Sequence, residues 1–473
     1  MHKQAGFVSI LFILLIGLAL TVLVVGMVTS VRSLQDSSLT THAQTQAQIK
    51  SAIGYQALTG LLKPLSATQI AQIDSGEIKD NGSTPAATIA TYKVVTTGCP
   101  TSTSSQSYFC YDITAKSGGA SSVVRAIYTD ITTGGGAFNG SMFAGGLRKD
   151  GSATLGGDQT IAVKNDKVVD NNNNAIAIAD LGGLSLGTFD PNVTFLKAED
   201  VRDHANYIFY KNNTCARNNL ANVSYVEGGV TKYKDITSQE SVTCSDISSG
   251  ISGNTGNWSI SGNQTLPVGV LWFEGNVDIT LSNTKNFVNT LIATGNIQTY
   301  ISNANTEIKV QGTPNDYFSY APNHYYLLNP NSNKLQRVCG LSTLSPPVSL
   351  VPRPTQYCNA DGTLKDMNTS PANIANILFL SNGHLGLDSI PGGKSKVNYY
   401  GNMLSGSLAG GTGNASGDFR GSGIVNVYGN LVVTSAVQTS LLGNLNLQLK
   451  SGQNGGNTVP SKKVMILSGL RYM

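Results

Sequence analysis

The sequence predicts an α+β N-terminal part, one long helix on a small antiparallel sheet, followed by a large all-β region of β-helix or β-solenoid kind. Three observations predict it. Phe7 to Val28 (FVSILFILLIGLALTVLVVGMV) is 22 residues without a charge, and helix-forming sequence continues beyond it. Between Thr91 and Ile131, β-prone runs alternate apolar and polar residues. Beyond Gly136 no helix of normal length is legible; short β-prone runs alternate with Gly, Asn, Asp and Ser turns. A β-sandwich is the alternative for this last region, because strand-and-turn spacing alone fits both.

The first element is the helix. At about 1.5 Å per residue, Phe7 to Val28 spans roughly 33 Å, enough to cross a bilayer's hydrocarbon core. Lys3 and Arg32 flank it. A secretory signal has a shorter apolar core and a small-residue cleavage site after it, and no Ala-x-Ala follows here. No proline occurs before Pro64, so one helix from Phe7 to about Leu62 is expected. Past the membrane, Ile49, Ile53, Ala57 and Leu61 recur every four residues. They predict the stripe by which the helix packs on a domain.

Lys3-Gln-Ala-Gly6 before Phe7 resembles the leader of class III prepilins. Thr29-Ser-Val-Arg-Ser-Leu-Gln35, Gln46-Ala-Gln-Ile49 and Ala52-Ile-Gly-Tyr-Gln-Ala-Leu58 resemble the N-terminal helix of PilX-type minor pilins of type IV pili. They are similar, more loosely, to the K-type pseudopilin of type II secretion. The resemblance covers roughly the first sixty residues. It implies cleavage between Gly6 and Phe7 by a prepilin peptidase on the cytoplasmic face of the inner membrane. Other minor and major pilins are the partners implied. The sequence departs from the family at Leu11, where most relatives carry Glu at the fifth position after the cut. In those relatives the carboxylate pairs with the N-terminal amine of a neighbouring subunit. A carboxylate without that partner costs about 3 kcal/mol or more in hydrocarbon. An apolar Leu11 therefore fits a tip or initiating position and argues against a bulk filament subunit; a membrane anchor that never assembles is the plainer alternative.

The sheet comes next. Thr91–Thr97, Ser107–Ala115 and Ser121–Ile131 are the expected strands, with Cys99 and Cys110 at the base of the loop between the first two. The polar loop before them holds Asp74-Ser-Gly76 and Asp80-Asn-Gly-Ser83. Thr132-Thr-Gly-Gly-Gly136 reads as a domain boundary. The expected organisation is a leader over 1–6, a membrane and assembly helix over 7–28, a pilin-like domain over 29–134 and a β-rich domain over 135–473. Gly-Asn recurs there at 275–276, 295–296, 401–402, 429–430 and 443–444, and supplies corners between strands. Insertions are expected near 191–245, with local helix character at Ala198-Glu-Asp-Val-Arg-Asp-His204, and near 317–361, rich in proline.

Six cysteines fall into three couples, Cys99 and Cys110, Cys215 and Cys244, Cys339 and Cys358. Sequential pairing into three disulfides is the simplest of fifteen arrangements and fits an oxidising compartment. No Cys-x-x-Cys occurs and no His neighbours a Cys at zinc-site spacing, so no metal is expected. Only 12% of residues are charged, the net charge is +4, and no run of five or more basic residues occurs. That excludes the usual signature of nucleic-acid binding.

The search for chemistry is mostly negative. Gly183-Leu-Ser-Leu-Gly187 matches a nucleophile-elbow string, but Phe189-Asp-Pro191 blocks the helix that an elbow requires. Asp170, Asn172 and Asn174 resemble the start of a calcium loop, with Ala175 and Leu181 where Gly and Glu are needed. His204 and His384 each lie near a carboxylate, as loop histidines commonly do. Trp258 and Trp272 suit either a sugar platform or a core. No catalytic residue and no cofactor is expected. The reading is a minor-pilin-like subunit acting in pilus assembly at the tip or initiating complex and displaying its β domain for adhesion or partner binding, with a tip adhesin or a host or abiotic surface as a further partner. It would sit in the inner membrane by one pass, N-terminus cytoplasmic, and reach the cell surface on assembly. The alternatives are a membrane-anchored β-helical carbohydrate-active enzyme, which would gather three or more acidic residues on one face; a pseudopilin; and a self-polymerising scaffold, which would leave its ends uncapped.

Overall fold

With no proline and no helix-breaking cluster to stop it, the N-terminal helix α1 runs unbroken from Ala5 to Leu62, 58 residues. The computed structural model describes the chain except residues 1–4, 64–69, 81, 83–84, 103–106, 134–135, 138–139, 190–194, 262–265, 283–284, 302–315, 330–332, 390–395, 411–414, 453–457 and 460–461. It describes backbone alone at 5–11, 130–133, 136–137, 254, 458–459 and 462–464. The chain divides into two units: Met1–Thr132 with Lys463–Met473, and Thr133–Lys462.

In the first unit, β1 (Ser75–Asp80), β2 (Ala87–Val95), β3 (Tyr108–Ser117) and β4 (Ala120–Thr133) form an antiparallel meander. β1 lies in the stretch read from the sequence as a polar loop. A fifth strand, Lys462–Tyr472, closes the sheet beside β4, with the Met473 amide donating to the Val123 carbonyl at 3.0 Å. The sequence reading left this strand with the β domain; its Met465, 2% exposed, instead completes the core of Leu58, Leu62, Ile113 and Tyr128.

The helix packs on this sheet by a different face from the one predicted. Ala43, Ala47, Ser51, Gly54, Leu58 and Leu62 are buried. Ile49, Ile53 and Leu61 are 55%, 43% and 49% exposed, and Ala57 is exposed with them. Size decides this. A Cβ at Gly54 would stand 2.8 Å from Ile113 Cγ2 and 2.9 Å from the Ala90 Cβ, so the sheet lies too close for an isoleucine. The Ser51 and Ser122 hydroxyls meet at 3.1 Å in the same contact.

The second unit is a chain that winds past three parallel ladders, passing each in the same order. The longest ladder stacks Val270–Phe273, Thr290–Ala293, Ile377–Leu387, Asn402–Gly410 and Leu431–Val433. Val270 pairs with Thr290 and Val397 with Val425, so turns of different length share one register. Side chains alternate. Leu271, Phe273, Leu291 and Phe379 point into the main core, where Phe209 and Phe273 stack at 4.4 Å. Val270, Trp272, Ile292 and Leu380 point the other way, into a second core beneath the insertions. Burial on both faces explains why Val270-Leu-Trp-Phe273 is apolar at every position.

The Gly-Asn corners do two things. Gly275 (φ 115°) and Gly429 (φ 143°) hold backbone that side chains rarely adopt, and a Cβ at either would strike the carbonyl of the preceding turn. Three of the asparagines then bond forward: Asn276 Oδ1 accepts the Asn296 amide at 2.9 Å, Asn296 Oδ1 the His384 amide at 2.9 Å, and Asn402 Oδ1 the Asn430 amide at 3.1 Å. The corners are a ladder of their own.

Order along the axis does not follow order along the chain. The body's first turns, Ser141–Phe143, Leu147–Lys149 and Thr154–Gly157, pair in parallel with its last, Leu431–Val433, Thr439–Gly443 and Asn446–Lys450. Thr160–Val163 and Ser185–Gly187 extend that end. The chain then returns to the opposite end, where Tyr207–Phe209 pairs with Val270–Phe273. There the ladder is finished by antiparallel Cys215–Arg217 and Glu240–Val242, which turn its edge away from further parallel pairing. Gln159 secures the junction. Its Nε2 donates to the Gly429 carbonyl at 2.7 Å and to that of Lys450, and its Oε1 accepts the Ser141 hydroxyl at 2.7 Å.

Candidate functional site

Two features follow from this architecture. One is the outer face of α1. Its membrane half is uncharged and exposed from Phe12 to Val28, and α1 is long and apolar enough to cross a membrane. The stripe of Ile49, Ile53 and Leu61 continues that apolar surface past Arg32. Gly6, Phe7 and Leu11 lie on the helix backbone, but their side chains are outside the described residues, as are Lys3 and Gln4 altogether.

The other is a cleft of about 580 Å³ in the second unit, between the two insertions and the edge of the coil. The first insertion is the hairpin Leu220–Glu227 and Val230–Ile236, its base tied by Cys215–Cys244. The second carries the helices Pro322–Leu328 and Lys334–Cys339, tied by Cys339–Cys358. It begins after Tyr317–Tyr320, which is itself a ladder strand pairing with Lys396–Tyr400, so its start lies later than the sequence suggested. The third couple, Cys99–Cys110, is bonded across the base of the loop between β2 and β3. All three sequential pairings are present.

Two arginines line the cleft, one from each insertion. Arg217 donates to the Asp246 carbonyl at 2.7 Å, and its Nε is buried without a hydrogen-bond partner. Arg337 donates to the Asn286 carbonyl at 2.6 Å, and burial pulls its pKa below that of free arginine. Among the described residues, no carboxylate lies within ion-pair distance of either guanidinium. Asp246 is the one carboxylate among the described lining residues, and its Oδ2 accepts the Thr243 hydroxyl. Sequence reasoning found the insertions but not the arginines, which no local pattern links.

The remaining candidates fall elsewhere. Ser185 sits in a three-residue edge strand paired with Thr160–Val163, not at a strand-to-helix turn. Asp170 closes a tight turn, accepting the Asn172 and Asn174 amides at 2.8 Å each, and these bonds hold its pKa below the usual carboxylate value. Among the described residues no three of His, Cys, Asp and Glu gather as a metal site. Burial lowers the pKa of His204 and of His384. Both tryptophans are core: Trp258 packs edge-on to Phe209 and tilted against Phe273, and Trp272 Nε1 donates to the Ala198 carbonyl at 2.8 Å. Tyr300 lies near two carboxylates. Asp278 hydrogen-bonds to it and Asp388 lies within electrostatic reach, both with pKa values raised by burial.

No protein-family model matches the chain, and no curated protein matches it. Among solved structures it is similar to the competence-associated pilin ComZ from Thermus thermophilus, over 91% of this chain and 98% of that one. The identity is 9% and the TM-score 0.16, a likeness on which no conclusion about this chain rests.

Proposed function

We propose that this chain is a minor-pilin-like subunit that assembles through α1 and displays the β unit outward. The observation that carries the reading is the division of labour on α1. Small residues face its own sheet, while the uncharged membrane half and the stripe of Ile49, Ile53 and Leu61 are left to other partners. An apolar face that wide on a soluble stretch has no use within its own unit, and packing against like helices would bury it. Under this reading Gly6 and Phe7 flank the cleavage site, and Leu11 favours the tip or initiating complex. Other pilins and a prepilin peptidase are the partners, and the inner membrane is where the subunit waits. The β unit is then an adhesive or partner-binding module, with no reaction catalysed.

Mass spectrometry of the mature N-terminus tests it, comparing sheared surface filaments with the inner-membrane fraction. A start at Phe7, present in filaments at low stoichiometry, is expected. Intact Met1 confined to the membrane would overturn the reading. The anchored carbohydrate-active enzyme is the second reading, favoured by Asp278 and Asp388, both within electrostatic reach of Tyr300. It requires three or more acidic residues there, and two lie near Tyr300 among the described residues.

A further inference from the structure

We infer that the cleft between the two disulfide-tied insertions binds an acidic sugar, with Arg217 and Arg337 holding its carboxylate. A cleft of about 580 Å³ falls within the ~300–1,000 Å³ of sites that enclose small ligands. Its two guanidiniums come from separate insertions and each donates to a neutral backbone carbonyl, and Asp246 is the one carboxylate among the described lining residues. A guanidinium not paired to a carboxylate can take one from a ligand, and its planar fork matches a carboxylate bidentately. The charge selects an anion.

The rest of the lining selects a sugar. Ser224, Asn289, Asn333 and Gln336 offer neutral donors and acceptors, and Pro267, Val268 and Pro352 offer apolar surface between them. A pyranose presents that same alternation, hydroxyls at its edges and C–H groups on its faces. An acidic peptide would ask for a longer groove with main-chain partners in series. Disulfides across both insertions hold the walls in place before a ligand arrives, which lowers the ordering cost of binding. As the ligand of an adhesive module the inference rests on the reading above, but binding itself is measured on the isolated full chain and does not depend on cleavage or assembly. Either can fail alone.

The test is isothermal titration of the detergent-solubilised full chain with N-acetylneuraminic, glucuronic and galacturonic acids. Glucose, galactose, acetate and inorganic phosphate serve as comparisons. At least one sugar acid is expected to bind saturably and at least ten-fold more tightly than glucose or galactose. R217Q and R337Q should each weaken it ten-fold or more, R337K should lie between, and D246N should tighten it several-fold with the fold untouched. No binding of any sugar acid, equal binding of glucuronate and glucose, or affinities unmoved in the folded R217Q and D246N proteins would overturn the inference. Acetate or phosphate binding as tightly as the sugar acids would overturn it too, leaving a simple anion site.

Discussion

Gln159→Leu isolates the contact that joins the body's first turns to its last. The side chains are similar in size, so the substitution removes hydrogen bonds with little change in volume. Three partners lose their bond: the Ser141 hydroxyl and the Gly429 carbonyl, both buried, and the partly buried Lys450 carbonyl. The Lys450 carbonyl keeps the Gly429 amide at 3.1 Å, so at about 1–3 kcal/mol for each of the other two groups the cost is about 2–6 kcal/mol. With an unfolding entropy near 2.1 cal/mol/K per residue, a body of about 330 residues loses roughly 1.4 °C per kcal/mol, so the melting temperature should fall by about 3–9 °C. Both tryptophans lie in this unit, so their fluorescence follows its melting alone, while ellipticity at 222 nm is dominated by α1. Gln239→Leu, which removes an exposed bond to the Tyr210 hydroxyl, is the control and should shift the midpoint by less than about 1 °C. Hydrogen exchange at Leu431, whose amide donates to Ser141 Oγ at 2.9 Å, should accelerate in the variant. A Q159L midpoint equal to the control, with Leu431 still protected, would refute the idea that this junction is cooperative.

Other outcomes follow from single sites. His324 is fully buried with neither ring nitrogen partnered among the described residues, and burial holds it down to about 4. Its folded pKa is depressed, so the unfolded chain takes the proton first. The His324 contribution is intact above about pH 6.5, shrinks as pH falls, and is lost by about pH 4, a change of about 3 kcal/mol. Urea midpoints read by tryptophan fluorescence should show it, and His324→Phe should flatten the profile over that window. Gly54→Val drives a branched side chain against Ile113 and Ala90, and overpacking of this kind costs about 1–3 kcal/mol. It should lower the midpoint of the first unit by ellipticity and leave the tryptophan transition unmoved; an unchanged midpoint would mean that the helix does not rest on the sheet there.

The helix was legible because a long uncharged run and the absence of proline act locally. The face it buries was not, because Ile49 and Ile53 satisfy a rule about hydrophobicity while Gly54 and Ser51 satisfy one about distance. Corners were legible at Gly-Asn, since positive φ leaves a residue signature; that the asparagine also ties successive turns together needs the neighbouring turn to be seen. The three cysteine couples came out in sequence order because each closes a local loop. The fifth strand of the first sheet, Lys462–Tyr472, and the pairing of Met142 with Val432 were hidden for one reason: their partners lie hundreds of residues away, and a short strand carries no mark of its mate. Arg217 and Arg337 converge by the same kind of long-range placement.

The stacking of the body's opening turns on its closing ones has a consequence for the newborn chain. Ser141 meets the Leu431 amide across 290 residues, and Asp158 meets Ser451 across 293. At a synthesis rate of about 5–20 residues per second, the opening turns wait roughly 15–60 s for the strands that complete their ladder. During that interval Ser141–Phe143, Leu147–Lys149 and Thr154–Gly157 each present a bare edge, and such unpaired edges invite pairing with any strand nearby. Maturation of this body is therefore expected to be all-or-none and late, and a chaperone that shields the first fifty or so residues of the unit would act on the step that governs yield.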